Sequence, residues 1–336
     1  MSSWPAKTRI YESHHFDSGV WDTLEPREDD ILICTAYKSG TTWMQQIIAQ
    51  LLFNGEEPPA LVPDMSMWID LRVPPRAVKR ELVEGLRTRR FLKTHLPPDA
   101  LTYRPSTKYI YVARDGRDAF MSLYNHYKTA NENWYGALND TPGRVGPEVP
   151  KFDPQMTPAE YFDKWVAKGW ETQPWEQDGW PFWSLFYNFD QWWKVRDMPN
   201  VLFVHFNDLK QDLAGEMRKV AKFIGTPIDE GKFPTQVEKC TFAYMKANGD
   251  ACAPLGGALW EGGGKTFINK GSNGRWKDEL SSEQLATYDK VAKERMAPAA
   301  AKWLYTGGPL PKKRCSKLIV GGIAAASLAM VFLSLK

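Results

Sequence analysis

Residues 31–43 read ILICTAYKSGTTW, and this stretch decides how the rest of the chain is read. An apolar, β-branched run (31–37) passes through Lys38-Ser39-Gly40 into a helical pattern covering 42–53. A strand that enters a helix through a Gly/Ser/Thr turn forms a cradle for an anion. The first-turn N–H groups of the helix are unpaired, and its dipole favours negative charge there. Lys38 adds a point charge, Ser39, Thr41 and Thr42 add hydroxyl donors, and Gly40 lets the backbone come close. Trp43 offers a flat face on which a base could stack. The spacing is not that of the common nucleotide loop, in which Lys follows the second of two glycines. Here Lys38 precedes the only Gly, so an ordinary strand-to-helix turn with a solvated Lys is the competing reading.

Three further apolar runs follow: 91–95, 108–114 (KYIYVAR) and 201–206 (VLFVHF). Helical patterns over 118–127 and 211–224 lie between and after them. Strands alternating with helices predict an α/β fold with a central parallel sheet flanked by helices. Continuous apolar runs fit strands buried on both faces. The first 29 residues are polar with few periodic signals. Residues 131–158 are rich in Gly, Pro and Asn and predict a long irregular connection. Tryptophan crowds the interval from Trp134 to Trp193, which suits core packing and also the lining of an apolar pocket.

The chain has 336 residues, 43% apolar and 25% charged, as expected of a globular protein. A net charge of +3 is too small to argue for a nucleic-acid partner. Cys34, Cys240, Cys252 and Cys315 form no CxxC pair, and the five His show no metal-ligand spacing, so no metal is expected. The amino end lacks an apolar signal-peptide core, which predicts a cytoplasmic setting with reduced thiols. The carboxyl end differs. Residues 318–335 are eighteen uncharged residues behind the basic linker 306–317, which carries Lys312, Lys313, Arg314 and Lys317. Such a run predicts a single-pass tail anchor, with the preceding domain on the cytoplasmic side of a membrane. The competing reading is an apolar helix that docks on the body or on a second subunit.

Lys93-Thr94-His95 closes the second strand. Strand carboxyl ends in open parallel sheets face the ligand crevice, and alternation sends Lys93 and His95 to the same side. His suits removal of a hydroxyl proton, and Lys suits neutralising charge on a transferred group. Arg114-Asp115-Gly116-Arg117-Asp118 closes the third strand, where Arg114 and Ser122 can meet at a second anion. A third basic cluster runs from Asn269 to Lys277, with Lys270 between Asn269 and Gly271. Two separate anion sites suit a nucleotide with phosphates at both ends of its ribose.

Taken in order, these stretches resemble the cytosolic sulfotransferase family. YKSGTTW is similar to its 5′-phosphosulfate loop, with Tyr37 where the family usually has Pro. KTHLP matches the segment of its catalytic His, and RDGRDAFMSLY its 3′-phosphate motif. FNDL resembles its Tyr-Glu-Asp-Leu strand end, and NKGSNGRWK its carboxyl-terminal Arg-Lys-Gly loop. The resemblance covers about residues 30–280. It implies one domain over 30–305 around a parallel sheet of about five strands. It implies 3′-phosphoadenosine 5′-phosphosulfate (PAPS) as donor, while the aromatic interval from Trp134 to Trp193 and the tail anchor suggest an apolar or lipid-like hydroxyl or amine as acceptor. Lys38, Ser39, Gly40, Thr41 and Thr42 would hold the 5′-phosphate, Trp43 and Phe242 the adenine, and Arg114 and Ser122 the 3′-phosphate. Asn269, Lys270 and Gly271 would form the lid. His95 would be the base, with Lys93 and Lys38 steadying the sulfuryl group. Asn269 replaces the family's lid Arg, Phe206 its Tyr and Cys240 its Thr. The family's dimer motif is not recognisable around 277–283, so a homodimer stays open. The readings outside the family are a P-loop-type kinase, and a non-catalytic, membrane-tethered binder of a hydrophobic ligand.

Overall fold

A computed structural model describes residues 3–170 and 172–311. The apolar run 318–335 and linker positions 312–317 lie outside the described residues. Among those described, no helix is long and apolar enough to cross a membrane.

Four strands form one sheet: β1 (Ile31–Thr35), β2 (Phe91–Thr94), β3 (Lys108–Ala113) and β4 (Val201–His205). Their order is β2-β1-β3-β4 and every pairing is parallel. These are the four runs read from the sequence, each ending one or two residues early. The residues left over, Ala36, Tyr37, His95, Arg114 and Phe206, turn off the strand ends into loops or a helix. The fifth strand expected from the resemblance does not form among the described residues. At the β2 edge the ladder shrinks to one parallel bridge between Trp68 and Lys93, flanked by Lys93 N donating to Met67 O and Ile69 N to Lys93 O.

Alternation sorts the strand residues onto two cores. Ile31, Ile33, Phe91, Ile110, Val112 and Val204 face the helices Thr41–Leu52 and Leu213–Ile224. The first helix answers with Met44, Ile47, Ile48 and Leu51, an apolar stripe of helical period. The predicted helix over 211–224 breaks at Asp212, because the Asp212 carboxylate accepts from Gly215 N and caps a new helix there.

Leu32, Cys34, Leu92, Tyr109, Tyr111 and Phe203 face the opposite, aromatic layer. Trp192 is fully buried there, donates to Leu96 O at 3.1 Å and lies near Tyr109, Tyr111 and Trp4. Most of the predicted tryptophan cluster is therefore core. The amino-terminal segment, polar by composition, nonetheless buries Tyr11, Phe16, Val20 and Trp21 in this layer. Nor is 131–158 wholly irregular. Asn131 caps the helix Glu132–Asn139, and Arg72 pins its end by donating to Leu138 O, Thr141 O and Pro142 O.

One ion pair sits where β1 and β2 begin. Arg90 donates through Nε and Nη2 to the two Asp30 oxygens at 2.7 and 2.5 Å, and both side chains are about 1–2% exposed. Arg90 O accepts from Ile31 N, so the pair fixes the entry register of both strands. Arg90→Ala leaves the Asp30 carboxylate buried without its cation. Urea unfolding should show a loss of about 3–5 kcal/mol; a variant as stable as the parent removes the pair's structural role.

Candidate active site

In the order β2-β1-β3-β4 the chain leaves β1 toward β2 and then crosses back to β3. The carboxyl ends of β1 and β3 are thus the topological switch point, where open parallel sheets keep their ligand crevice. The loops carrying Lys38, His95 and Arg114 all start at this end.

The loop after β1 is built by two left-handed residues, Lys38 (φ 63°) and Gly40 (φ 117°). A Cβ on Gly40 would lie 3.1 Å from the Phe206 ring and 3.4 Å from Val112, so the loop hugs the sheet end closely. Ser39 and Thr41 are buried, and the twelve-residue helix opens at Thr41. Thr42 lies in the same first turn and is half-buried. Trp43 donates to Cys240 O at 2.7 Å and sets its edge against Phe206. Lys38 Nζ lies 3.3 Å from His126 Nδ1 and over the Phe267 ring. Burial, with help from Arg114 and Lys93, pulls its ammonium pKa down to about 7.

β2 stops at Thr94, so strict alternation does not carry through to His95. Lys93 points at Gln45 Oε1, 3.4 Å away, and burial lowers its pKa to about 8. His95 Nδ1 is 2.9 Å from both the carbonyl and the hydroxyl oxygen of Thr35. A carbonyl only accepts, which assigns the ring proton to Nδ1 and leaves Nε2 with a bare lone pair. Burial, reinforced by Lys93 and Lys38, lowers the imidazole pKa to about 3. Its backbone is clamped as well: Asp70 Oδ2 accepts from His95 N, and Asn188 Nδ2 donates to His95 O. Asp70 also accepts from the indoles of Trp21 and Trp68.

Arg114 is 6% exposed, with its guanidinium 4.1 Å from the Phe206 ring centroid. Nη2 donates to Asn273 Oδ1 at 2.9 Å, and Gly274 N donates to Asp118 Oδ1, so residues 273–274 dock on the β3 end. Burial, with a smaller contribution from the positive charge of Arg275, lowers the pKa of Arg114 to about 10. The Nε groups of Arg114 and Arg275 are buried without a hydrogen-bond partner. Two guanidinium groups with unmet buried donors, one acting on the other through its charge, suit an anion as partner. Ser122 is half-buried two turns along the helix Gly116–Lys128. It makes no direct bond to Arg114. Phe242 packs on Gly271, where a Cβ would lie 2.4 Å from the ring, and Lys210 donates to Gly271 O. Asn269 is held through its carbonyl by Lys246, while the Lys270 side chain is exposed.

The structure therefore gathers Lys38, Lys93, His95 and Arg114 at one sheet end, and Trp43, Phe206 and the Phe242–Gly271 contact at its flank. Sequence reasoning missed Asp70, His126, Trp183 and the docking role of Asn273. His126 had a signal, because it lies four residues beyond Ser122 on the same helix face. Trp183 had none among so many aromatics. Beside His95 lies a cavity of about 10 Å³, room for a single water, lined among others by Tyr37, Glu176, Phe182, Trp183 and Asn188.

A family profile described as Sulfotransferase domain matches residues 28–299. The glycolipid sulfotransferase of Mycobacterium tuberculosis is 26% identical over 310 residues, covering 89% of this chain and 94% of that protein. Sulfotransferase 2B1 of Mus musculus is 30% identical over 279 residues, covering 82% and 73%. The crystal structure of mouse sulfotransferase SULT7A1 complexed with PAP superposes with a TM-score of 0.63 at 21% identity, over 85% of this chain and 90% of that one, a likeness of fold. The profile spans most of the chain, and with these relatives it establishes that the protein belongs to the sulfotransferase domain family and is a sulfotransferase.

Proposed function

We propose that the protein moves a sulfuryl group from PAPS to a hydroxyl of an apolar or lipid-like acceptor, with His95 as general base. One observation carries this reading. The Nδ1 proton of His95 is committed to Thr35, which leaves a bare Nε2 at the carboxyl end of β2, on a ring that feels the charges of both Lys93 and Lys38. As the acceptor oxygen attacks sulfur, its proton passes to Nε2. The new O–S bond forms as the S–O bond to the 5′-phosphate breaks, and adenosine 3′,5′-bisphosphate leaves. Lys93 and Lys38 stabilise charge on the sulfuryl and phosphate oxygens in a dry site, where such contacts count most. Positioning supplies the rest, as in phosphoryl transfer.

The donor's two phosphates suit the two cationic clusters. The 5′ end belongs at Lys38, Ser39, Gly40, Thr41 and Thr42, where helix N–H groups and hydroxyls meet. The 3′-phosphate belongs at Arg114 and Ser122, with Lys270 and Gly271 above. Arg275, whose charge acts on Arg114, takes the part of the lid Arg that Asn269 lacks. Trp43 and Phe242 flank the adenine. The name of the mycobacterial relative supports a lipid-like acceptor.

His95→Ala should lower kcat by at least about a hundredfold, while calorimetry with adenosine 3′,5′-bisphosphate shows affinity within about threefold of the parent. Retained turnover removes His95 as base. The lysines give a pH signature. Their lowered values, about 7 for Lys38 and about 8 for Lys93, mean that both shed charge as pH rises through that range. The bisphosphate needs the ammonium forms, so its affinity should fall by at least about tenfold from pH 6.5 to 9, with proton uptake on binding near pH 8. An affinity flat over that interval contradicts the assignment. A tail anchor at 318–335 belongs to the same reading, since it would hold the site near a membrane-dissolved acceptor. Deleting 318–336 should shift the protein to the soluble cell fraction; an unchanged membrane fraction rejects the anchor.

A further inference from the structure

Tyr37 opens the loop after β1, and the donor site does not account for it. Its ring lies flat on Trp183, with centroids 3.8 Å apart and planes 2° from parallel. It meets the rings of His95 and His126 edge-on, each 5.3 Å away. Two cavities touch this pair. One is the chamber beside His95; the other lies among Phe120, Leu123, Trp165 and Leu185. Tyr37 and Trp183 line both, and each holds only about 10 Å³. The stacked pair is thus the partition between two chambers, neither large enough for an alcohol of any size. An acceptor larger than a water can occupy either chamber only if this pair moves.

The hydroxyl of Tyr37 is tied to the donor loop. It lies 2.6 Å from His126 Nε2, while Nδ1 of the same ring lies 3.3 Å from Lys38 Nζ. An ammonium only donates, so Nδ1 accepts from Lys38. The one proton of a neutral His126 then sits on Nε2 and is donated to the Tyr37 oxygen. Burial, helped by the Lys38 charge, holds His126 neutral. An anion at the loop competes for Lys38. Once Lys38 leaves, the contact that ties His126, and through it Tyr37, to the donor loop is lost.

We propose that Tyr37 is a gate across the acceptor slot, latched through His126 to Lys38, so that anion binding at the donor loop favours opening of one continuous apolar slot from His95 to Trp165. This rests on the placement of the donor and acceptor sides given above. Once the ring is aside, the joined slot is lined by aromatic and aliphatic side chains and suits a flat fused-ring alcohol.

Binding rather than transfer tests the gate. Pyren-1-ol, a flat four-ring alcohol, is titrated by its own fluorescence into the full-length protein and into Tyr37→Ala, with and without adenosine 3′,5′-bisphosphate. In the parent, bisphosphate should tighten pyrenol binding by at least about fivefold, the range of ordinary coupling between sites. Tyr37→Ala, with its gate removed, should bind pyrenol at least about tenfold tighter than the parent and show no further gain from bisphosphate. A parent indifferent to bisphosphate, or a Tyr37→Ala protein that binds pyrenol no tighter, overturns the proposal. If Tyr37→Ala does not fold, Tyr37→Val gives the same test, since it also lacks the ring but keeps an apolar side chain against Trp183. Absence of sulfuryl transfer in every protein would count against the proposed reaction and leave the gate to be judged on these affinities.

Discussion

The position of β1 between β2 and β3 is the constraint from which the site follows. Backbone ladders on both edges of β1 bring three strand ends side by side, and each end delivers one charged or titratable side chain. Thr35, the last residue of β1, then reaches His95 beyond the end of β2, and Lys38 O accepts weakly from Arg114 at the end of β3. A slip of one residue in either ladder would turn these groups to the opposite face. The buried Arg90–Asp30 pair at the far end of the same strands guards against that slip.

The site concentrates positive charge where water is scarce. Lys38, Lys93, Arg114 and Arg275 are held near one another, and burial lowers the pKa of each. Left alone, such a cluster is costly, because desolvated like charges repel. An anion relieves both costs at once. The same arrangement keeps His95 neutral, since a proton on its ring would add a further charge beside Lys93 and Lys38. Attraction for an anion and the neutral state of His95 thus share an origin in burial and clustered positive charge.

The aromatic layer has two parts with different work. Around Trp192 it is core, closing the sheet face against the amino-terminal limb. Around Trp183 it abuts the His95 imidazole, with the Tyr37 ring stacked on Trp183 beside it. Composition is the same in both parts. Only proximity to the switch point separates packing from pocket.

The sequence by itself determined the strands, the strand-to-helix turn at Lys38–Gly40 and the identity of the charged residues. Apolar runs of strand length ending in Lys38, His95 and Arg114 are local patterns, set by the chemistry of a few adjacent residues. The motif order was also legible, and with it the family. What only the tertiary structure decided depends on contacts between distant positions. The tautomer of His95 depends on the Thr35 carbonyl, and the docking of 273–274 on Arg114 and Asp118. The meaning of Tyr37 depends on Trp183 and His126. Spacing in one dimension carries no record of which side chains a folded chain presses together, so a tyrosine that looked like a blemish in a phosphate loop acquired its role only once its ring was seen against Trp183.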